Sequence, residues 1–165
     1  MKNCIVIITC LLIAAGRLHA QQGNQLIAGK MPSLSLTNST NSVHVKAMRD
    51  FLKRNEAAEH VEWMQVDNGY VVKYHDQNDL PCRSVYNSKG CYRYTIKQYG
   101  EDRMNEEVRR QVKSMYYDYT ITLVEEVELP LKPVIYIVHL ENSNTLKNLR
   151  VSDGYIEVIE DYRKQ

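Results

Sequence analysis

The sequence predicts an α+β fold: two tandem helix-plus-four-strand antiparallel repeats forming a curved sheet with both helices on one face. Three observations carry this expectation. The second half repeats the first at an offset of about 64 residues, so that Gly69-Tyr70-Val71-Val72-Lys73-Tyr74-His75 falls on Pro133-Val134-Ile135-Tyr136-Ile137-Val138-His139. Asn78 then meets Asn142, Ser88 meets Ser152 and Gly90 meets Gly154, and self-similarity at a fixed period marks a duplicated unit. Each half also opens with apolar residues at helical spacing, Val45, Met48, Phe51 and Leu52 in one and Val108, Val112, Met115 and Tyr116 in the other. Alternating apolar runs separated by turn residues follow in both.

In chain order, residues 1–20 read as a secretory signal peptide. Lys2 precedes an apolar run from Cys4 to Ala15 that is too short to span a bilayer, and cleavage is expected after Ala20. Residues 21–42 are polar and unpatterned, a flexible leader that buries too little to offset the entropy of ordering. The first repeat, 43–98, opens with a helix over 43–58 capped by Ser42. Strands over 61–66, 70–75, 83–86 and 91–98 follow, punctuated by Asp67-Asn68-Gly69, Asp76-Gln77-Asn78-Asp79 and Asn87-Ser88-Lys89-Gly90. Residues 99–165 hold the joint Tyr99-Gly100-Glu101-Asp102 and the second repeat. Its helix over 105–117 has Asn105 as cap and Glu106 and Glu107 favourably placed in the first turn. Its strands run over 119–128, 134–141, 145–151 and 155–162. The joint is too short for independently mobile domains, so one compact domain is expected.

Taking Lys2 and Arg17 away with the leader from 21 basic side chains, against 20 acidic ones, leaves a net charge of −1. A near-neutral chain with interspersed signs carries no electrostatic footprint for nucleic acid or an anionic membrane. Of four cysteines, Cys82 and Cys91 remain after cleavage. An oxidising compartment favours pairing them. The hairpin register opposes it, because Cys82 lies some four residues along its strand from the partner of Cys91, roughly 13 Å at about 3.3 Å per residue, and a bridge needs the Cα atoms within about 7 Å. Both readings of this candidate disulfide stand at this point.

Alternation assigns the faces. Tyr70, Val72 and Tyr74 point with Tyr92, Tyr94 and Ile96 toward the helices, as do Val134, Tyr136, Val138, Ile156 and Val158. Lys73, His75, Arg93 and Lys97 point to the free face, with Ile137, His139, Glu157 and Asp161. Twelve tyrosines against one phenylalanine and one tryptophan suit both half-buried sheets and recognition surfaces. Tyr86 and Tyr155, off the core-facing set and near hairpin turns, join Lys73, His75, Arg83, Arg93, Lys97 and His139 as the candidate binding residues.

The amphipathic first helix, Val61-Glu62-Trp63, Asp67-Asn68-Gly69-Tyr70-Val71-Val72 and Val85-Tyr86-Asn87-Ser88-Lys89-Gly90 resemble, in that order, the PepSY-like, β-lactamase-inhibitor-protein-like domains of secreted bacterial proteins. The resemblance extends through the second helix to the carboxyl end. It implies a duplicated helix-plus-four-strand fold, export to the periplasm or beyond, and binding of a protein or peptide on the sheet. It carries no catalytic residues onto this chain, and the proline that often opens the helices is absent before Val43.

Enzyme signatures are sparse. There is no nucleophile elbow, glycine-rich phosphate loop or His-Glu-x-x-His run. Glu125, Glu126 and Glu128 form an apparent carboxylate cluster, but alternation sends Glu125 to one face and the other two to the opposite one. The expectation is therefore a secreted or periplasmic, non-catalytic, cofactor-free domain that recognises a protein or peptide of the cell envelope on its free sheet face, inhibitor-like roles included, as monomer or dimer. The alternatives are a small metal-dependent hydrolase using His75 and His139, and a structural envelope component.

Overall fold

The computed structural model describes residues 43–165. The expected Ser42 cap is corrected, because the first helix starts two residues later than expected and takes its cap from His44. The expected signal peptide, its cleavage after Ala20 and the polar leader lie outside the described residues. Within them, α1 (Val45–Arg54) is capped by His44, whose Nδ1 accepts from the Lys46 amide at 3.1 Å. Helix α2 (Glu106–Met115) is capped by Asn105, whose Oδ1 accepts from the amides of Glu107 and Val108 at 3.0 and 3.2 Å. The first turn of α2 carries Glu106 and Glu107, acids at the positive end of the helix dipole. A short 3-10 helix, Glu101–Arg103, precedes it.

Eight strands follow the chain: β1 (Glu59–Val66), β2 (Gly69–His75), β3 (Pro81–Asn87), β4 (Tyr92–Tyr99), β5 (Thr120–Glu128), β6 (Ile135–Glu141), β7 (Thr145–Ser152) and β8 (Tyr155–Arg163). They form one antiparallel sheet in the order β1 to β8, each strand pairing with its neighbours in sequence. This corrects the expected architecture of two tandem helix-plus-four-strand repeats. β4 and β5 are hydrogen-bonded neighbours from Thr95↔Glu128 to Tyr99↔Val124, so the ladder runs without interruption through the supposed boundary at residue 98. Backbone amides and carbonyls need partners, and pairing β4 with β5 satisfies edges that two separate repeats would expose.

Both helices lie on one side of this sheet. Phe51 packs edge-on against Trp63 and Tyr74, with ring centroids 5.5 and 5.0 Å apart, in a core that includes Ala47, Val72, Cys82 and Tyr86. Val112 of α2 anchors a second core with Val124, Val138, Leu140, Leu149 and Val151. The strand register from Val72 through Ser84, Thr95, Glu128 and onward to Tyr136 and Val151 places both cores on the same side. Between them the helix side is polar. Ser84 and Thr95 are buried and joined at 2.6 Å, and the Tyr92 hydroxyl donates to Thr95 at 3.0 Å.

Irregularities in the strands overturn several of the expected side-chain directions. On β4 the register steps from Val85↔Tyr94 to Tyr86↔Tyr92, which leaves Arg93 as an extra residue in a bulge. Beyond it every side chain changes face. Tyr94 and Ile96 therefore stand on the free side, while Thr95 and Lys97 stand on the helix side. On β8 a second irregularity, between Val158 and Glu160, leaves Asp161 opposite Lys147 on the helix side.

Candidate functional site

The face opposite α1 and α2, with no helix on it among the described residues, is built from alternate residues of the eight strands. One row, set by direct pairing, runs Glu62, Lys73, Arg83, Ile96, Val127 and Ile135. The next runs Gln98, Glu125, Ile137, Arg150 and Glu157. Met64, Val66 and Val71 form a small apolar cluster here, with Val85 packed against it, apart from both helix cores. The centre of the face is thus an apolar field in which Val127 and Ile135 are buried and Val85, Tyr94, Ile96 and Ile137 are half-buried. A face with an apolar centre and a charged rim has the layout of a recognition surface.

The rim is electrically unequal. On the β5 to β8 side, charges are paired within the sheet: Arg150 Nη1 meets Glu157 Oε2 at 3.4 Å, and Asn148 donates to Glu160. Glu125 accepts from Gln98 Nε2 at 2.7 Å, and His139 Nε2 stands 3.8 Å from its other oxygen. The neighbouring imidazole, more than Gln98, holds the Glu125 carboxyl below the usual carboxylate range, against the opposing effect of burial. His139 Nε2 is itself buried and makes no hydrogen bond, since 3.8 Å is an ion-pair distance rather than a hydrogen-bond one. On the β2 to β3 side, Lys73 and Arg83 face each other directly across the strand pair, and neither has a hydrogen bond or ion pair among the described residues. Glu62, across β1 from Lys73, makes no ion pair with it. Like charges directly opposite are unfavourable.

Of the candidate binding residues, the structure gathers Lys73, His75, Arg83 and His139 on the free face. Tyr155 starts β8 beside the Asp153-Gly154 turn, 80% exposed. Three others are placed elsewhere. Tyr86 is 1% exposed and stands opposite Tyr70, so it belongs to the α1 core, where its hydroxyl donates to Asp50 Oδ2 at 3.1 Å. Lys97 points to the helix side and binds Glu128 Oε1 at 2.5 Å, with Glu126 Oε1 at 3.9 Å. Arg93 is the exposed bulge residue. Cys82 and Cys91 are free thiols, and burial pushes the Cys82 thiol up to about 11.

His75 and His139 sit on β2 and β6, four strand spacings or about 19 Å apart, so the structure does not bring the two histidines of the hydrolase alternative together. His75 Nδ1 lies 2.7 Å from Asp79 Oδ1 instead, and its ring stacks edge-on with His60 at 5.4 Å. Among the described residues, no group of three or more His, Cys, Asp or Glu side chains is arranged to hold a metal ion.

The apolar residues at the centre of the face were missed from sequence as site residues. One signal was available: Val134-Ile135-Tyr136-Ile137-Val138 is apolar at successive positions, which describes a strand with two apolar faces. No such signal existed for Tyr94 and Ile96, because their direction depends on the bulge at Arg93.

No protein-family model matches the sequence, and no curated protein does. Solved structures do. A DUF2874 family protein from Bacteroides ovatus superposes with a TM-score of 0.62 at 20% identity, covering 74% of this chain and 89% of that one. A BLIP-like protein from Bacteroides fragilis gives a TM-score of 0.62 at 14% identity, covering 82% and 89%. A Bacteroides eggerthii protein described as periplasmic gives 0.59 at 14%, covering 73% and 88%. These likenesses support the inhibitor-protein-like part of the resemblance rather than PepSY specifically. Among the described residues no helix is long and apolar enough to cross a membrane. The chain has the fold shared by DUF2874 and BLIP-like proteins.

Proposed function

We propose that the protein is an exported, non-catalytic binding module that docks a loop or extended segment of another protein on its helix-free sheet face. The observation that carries this reading is the half-buried apolar patch of Val85, Tyr94, Ile96 and Ile137, bordered by the facing Lys73 and Arg83, which make no hydrogen bond or ion pair among the described residues. An occupant with a carboxylate beside apolar side chains resolves both features at once. Its apolar groups cover the field, and its acid relieves the repulsion between two facing cations, a charge-assisted contact stronger than a neutral hydrogen bond. Periplasmic residence fits the predicted signal peptide and the Bacteroides eggerthii relative in fold.

The test compares capture from a periplasmic extract by the wild-type mature protein, by Lys73→Glu/Arg83→Glu, and by the control Arg110→Glu on the exposed side of α2. The expected outcome is a protein retained by wild type and control but lost with the double reversal, and carrying acidic residues at the contact. Equal retention by all three removes this face as the docking surface.

A further inference from the structure

On the opposite side of the sheet, the polar stretch between the two helix cores carries the buried Ser84 and Thr95 and the half-buried Lys97 and Glu128. A cleft of about 560 Å³ opens there between the carboxyl end of α1 and the strand centre, its floor formed by Tyr74, Thr95, Lys97 and Glu128. That volume falls within the range of about 300–1,000 Å³ typical of small-ligand sites. Three cations and three anions line it, Lys53, Arg54 and Lys97 against Glu56, Asp76 and Glu128.

The floor is already ordered by its own bonds. Tyr74 Oη lies 3.3 Å from Ser84 Oγ, Ser84 holds Thr95, and Lys97 holds Glu128. The rim is different. Lys53 and Glu56 have no hydrogen bond or ion pair among the described residues. Asp76 Oδ1 accepts from the amides of Asn78 and Leu80, which leaves Oδ2 for a further donor. Arg54 spends Nε on Asp50 at 2.7 Å and lies over the Tyr92 ring at 4.4 Å, which fixes its plane and leaves its terminal nitrogens for a carboxylate.

We propose that this cleft is a second binding site, for a short peptide carrying a free α-ammonium and a free α-carboxylate group. A purely anionic or purely cationic ligand is attracted by half of the lining and repelled by the other half, whereas a zwitterion is matched by both. The ammonium group gains further from the last-turn carbonyls of α1, which carry the negative end of the helix dipole. The apolar part of the lining is small, Ala57, Ala58 and the nearly buried Tyr74 ring, so recognition rests on the charged termini and not on bulky side chains.

The test titrates the isotope-labelled mature protein with trialanine, with N-acetyl-trialanine-amide and with glycine, and follows amide shifts of residues 55–58 and 95–97. Saturable shifts from trialanine, with none from the capped peptide, are expected. Binding by trialanine about tenfold weaker in Lys53→Gln/Arg54→Gln, with unchanged spectra elsewhere, is expected as well. Lys53 and Arg54 are exposed, so the double variant retains the fold. Saturation by glycine as tight as by trialanine would reassign the site to free amino acids and overturn the peptide proposal. Equal shifts from the capped peptide, the absence of saturable shifts, or unaltered affinity in the double variant would overturn the site itself.

Discussion

Gly69 ends the β1–β2 turn at φ +152°, and a Cβ there would lie 2.0 Å from the Tyr86 carbonyl oxygen. Backbone on the neighbouring strand cannot yield as a flexible side chain would, so Gly69→Ala must part β2 from β3. It is expected to cost at least about 3 kcal/mol in urea unfolding. Gly154 has φ +79° with nothing within 4 Å of its Cβ position, so Gly154→Ala should cost only about 1–2 kcal/mol, from backbone conformation alone. The glycines were legible because turn chemistry is local: Asp67-Asn68-Gly69 announces its own hairpin. The split of Glu125 from Glu126 and Glu128 was legible for the same reason, since β5 is regular across these three. Lys97 was not. Its direction is decided four residues earlier by a bulge that leaves no compositional mark.

At the scale of the element, the strands were readable from alternation and punctuation, each to within about two residues. The helices were readable in position, although α1 ends at Arg54 and not at the expected residue 58, and they were less readable in facing. The apolar stripe of α1 was expected to include Val45 and Leu52, yet these are 58% and 62% exposed, and the helix docks through Ala47 and Phe51 with Met48 beside them. Ala47 and Phe51 are four apart and lie above one another on a single face. A stripe counted by hydrophobicity passes over a small residue such as Ala47, although its size is what lets the helix approach the sheet. The hold of α1 on the sheet is thereby concentrated in one ring. Phe51→Ala removes edge-on contacts to both Trp63 and Tyr74 and is expected to destabilise the protein by about 3–5 kcal/mol. The chemical denaturation midpoint should fall while its slope is unchanged, and retention of the wild-type midpoint would show that α1 contributes little.

For the whole molecule, the internal repeat misled in one respect: similar halves invite a picture of separate modules. The five-residue register between β4 and β5 instead makes the halves parts of one ladder. Lys97, Glu126 and Glu128 bridge that junction on the helix side, as does the Tyr99 hydroxyl donating to Glu126 at 2.5 Å. Burial, and then the Glu126 carboxylate beside it, push the Tyr99 phenol well above its ordinary range, so the bridge keeps its proton at any physiological pH. A single unfolding transition is the expected consequence. Trp63, the sole tryptophan, lies in the α1 core and reports on that half, whereas far-ultraviolet dichroism reports on both. The two probes should give coincident denaturation curves, and separated midpoints would show that each half melts alone.

Strict succession from β1 to β8 has a kinetic corollary. Apart from the connection through α2, residues 100–119 between β4 and β5, the chain closes only short loops, each with a small entropic penalty. A chain emerging amino end first could therefore zip together hairpin by hairpin, each new strand meeting a template already in place.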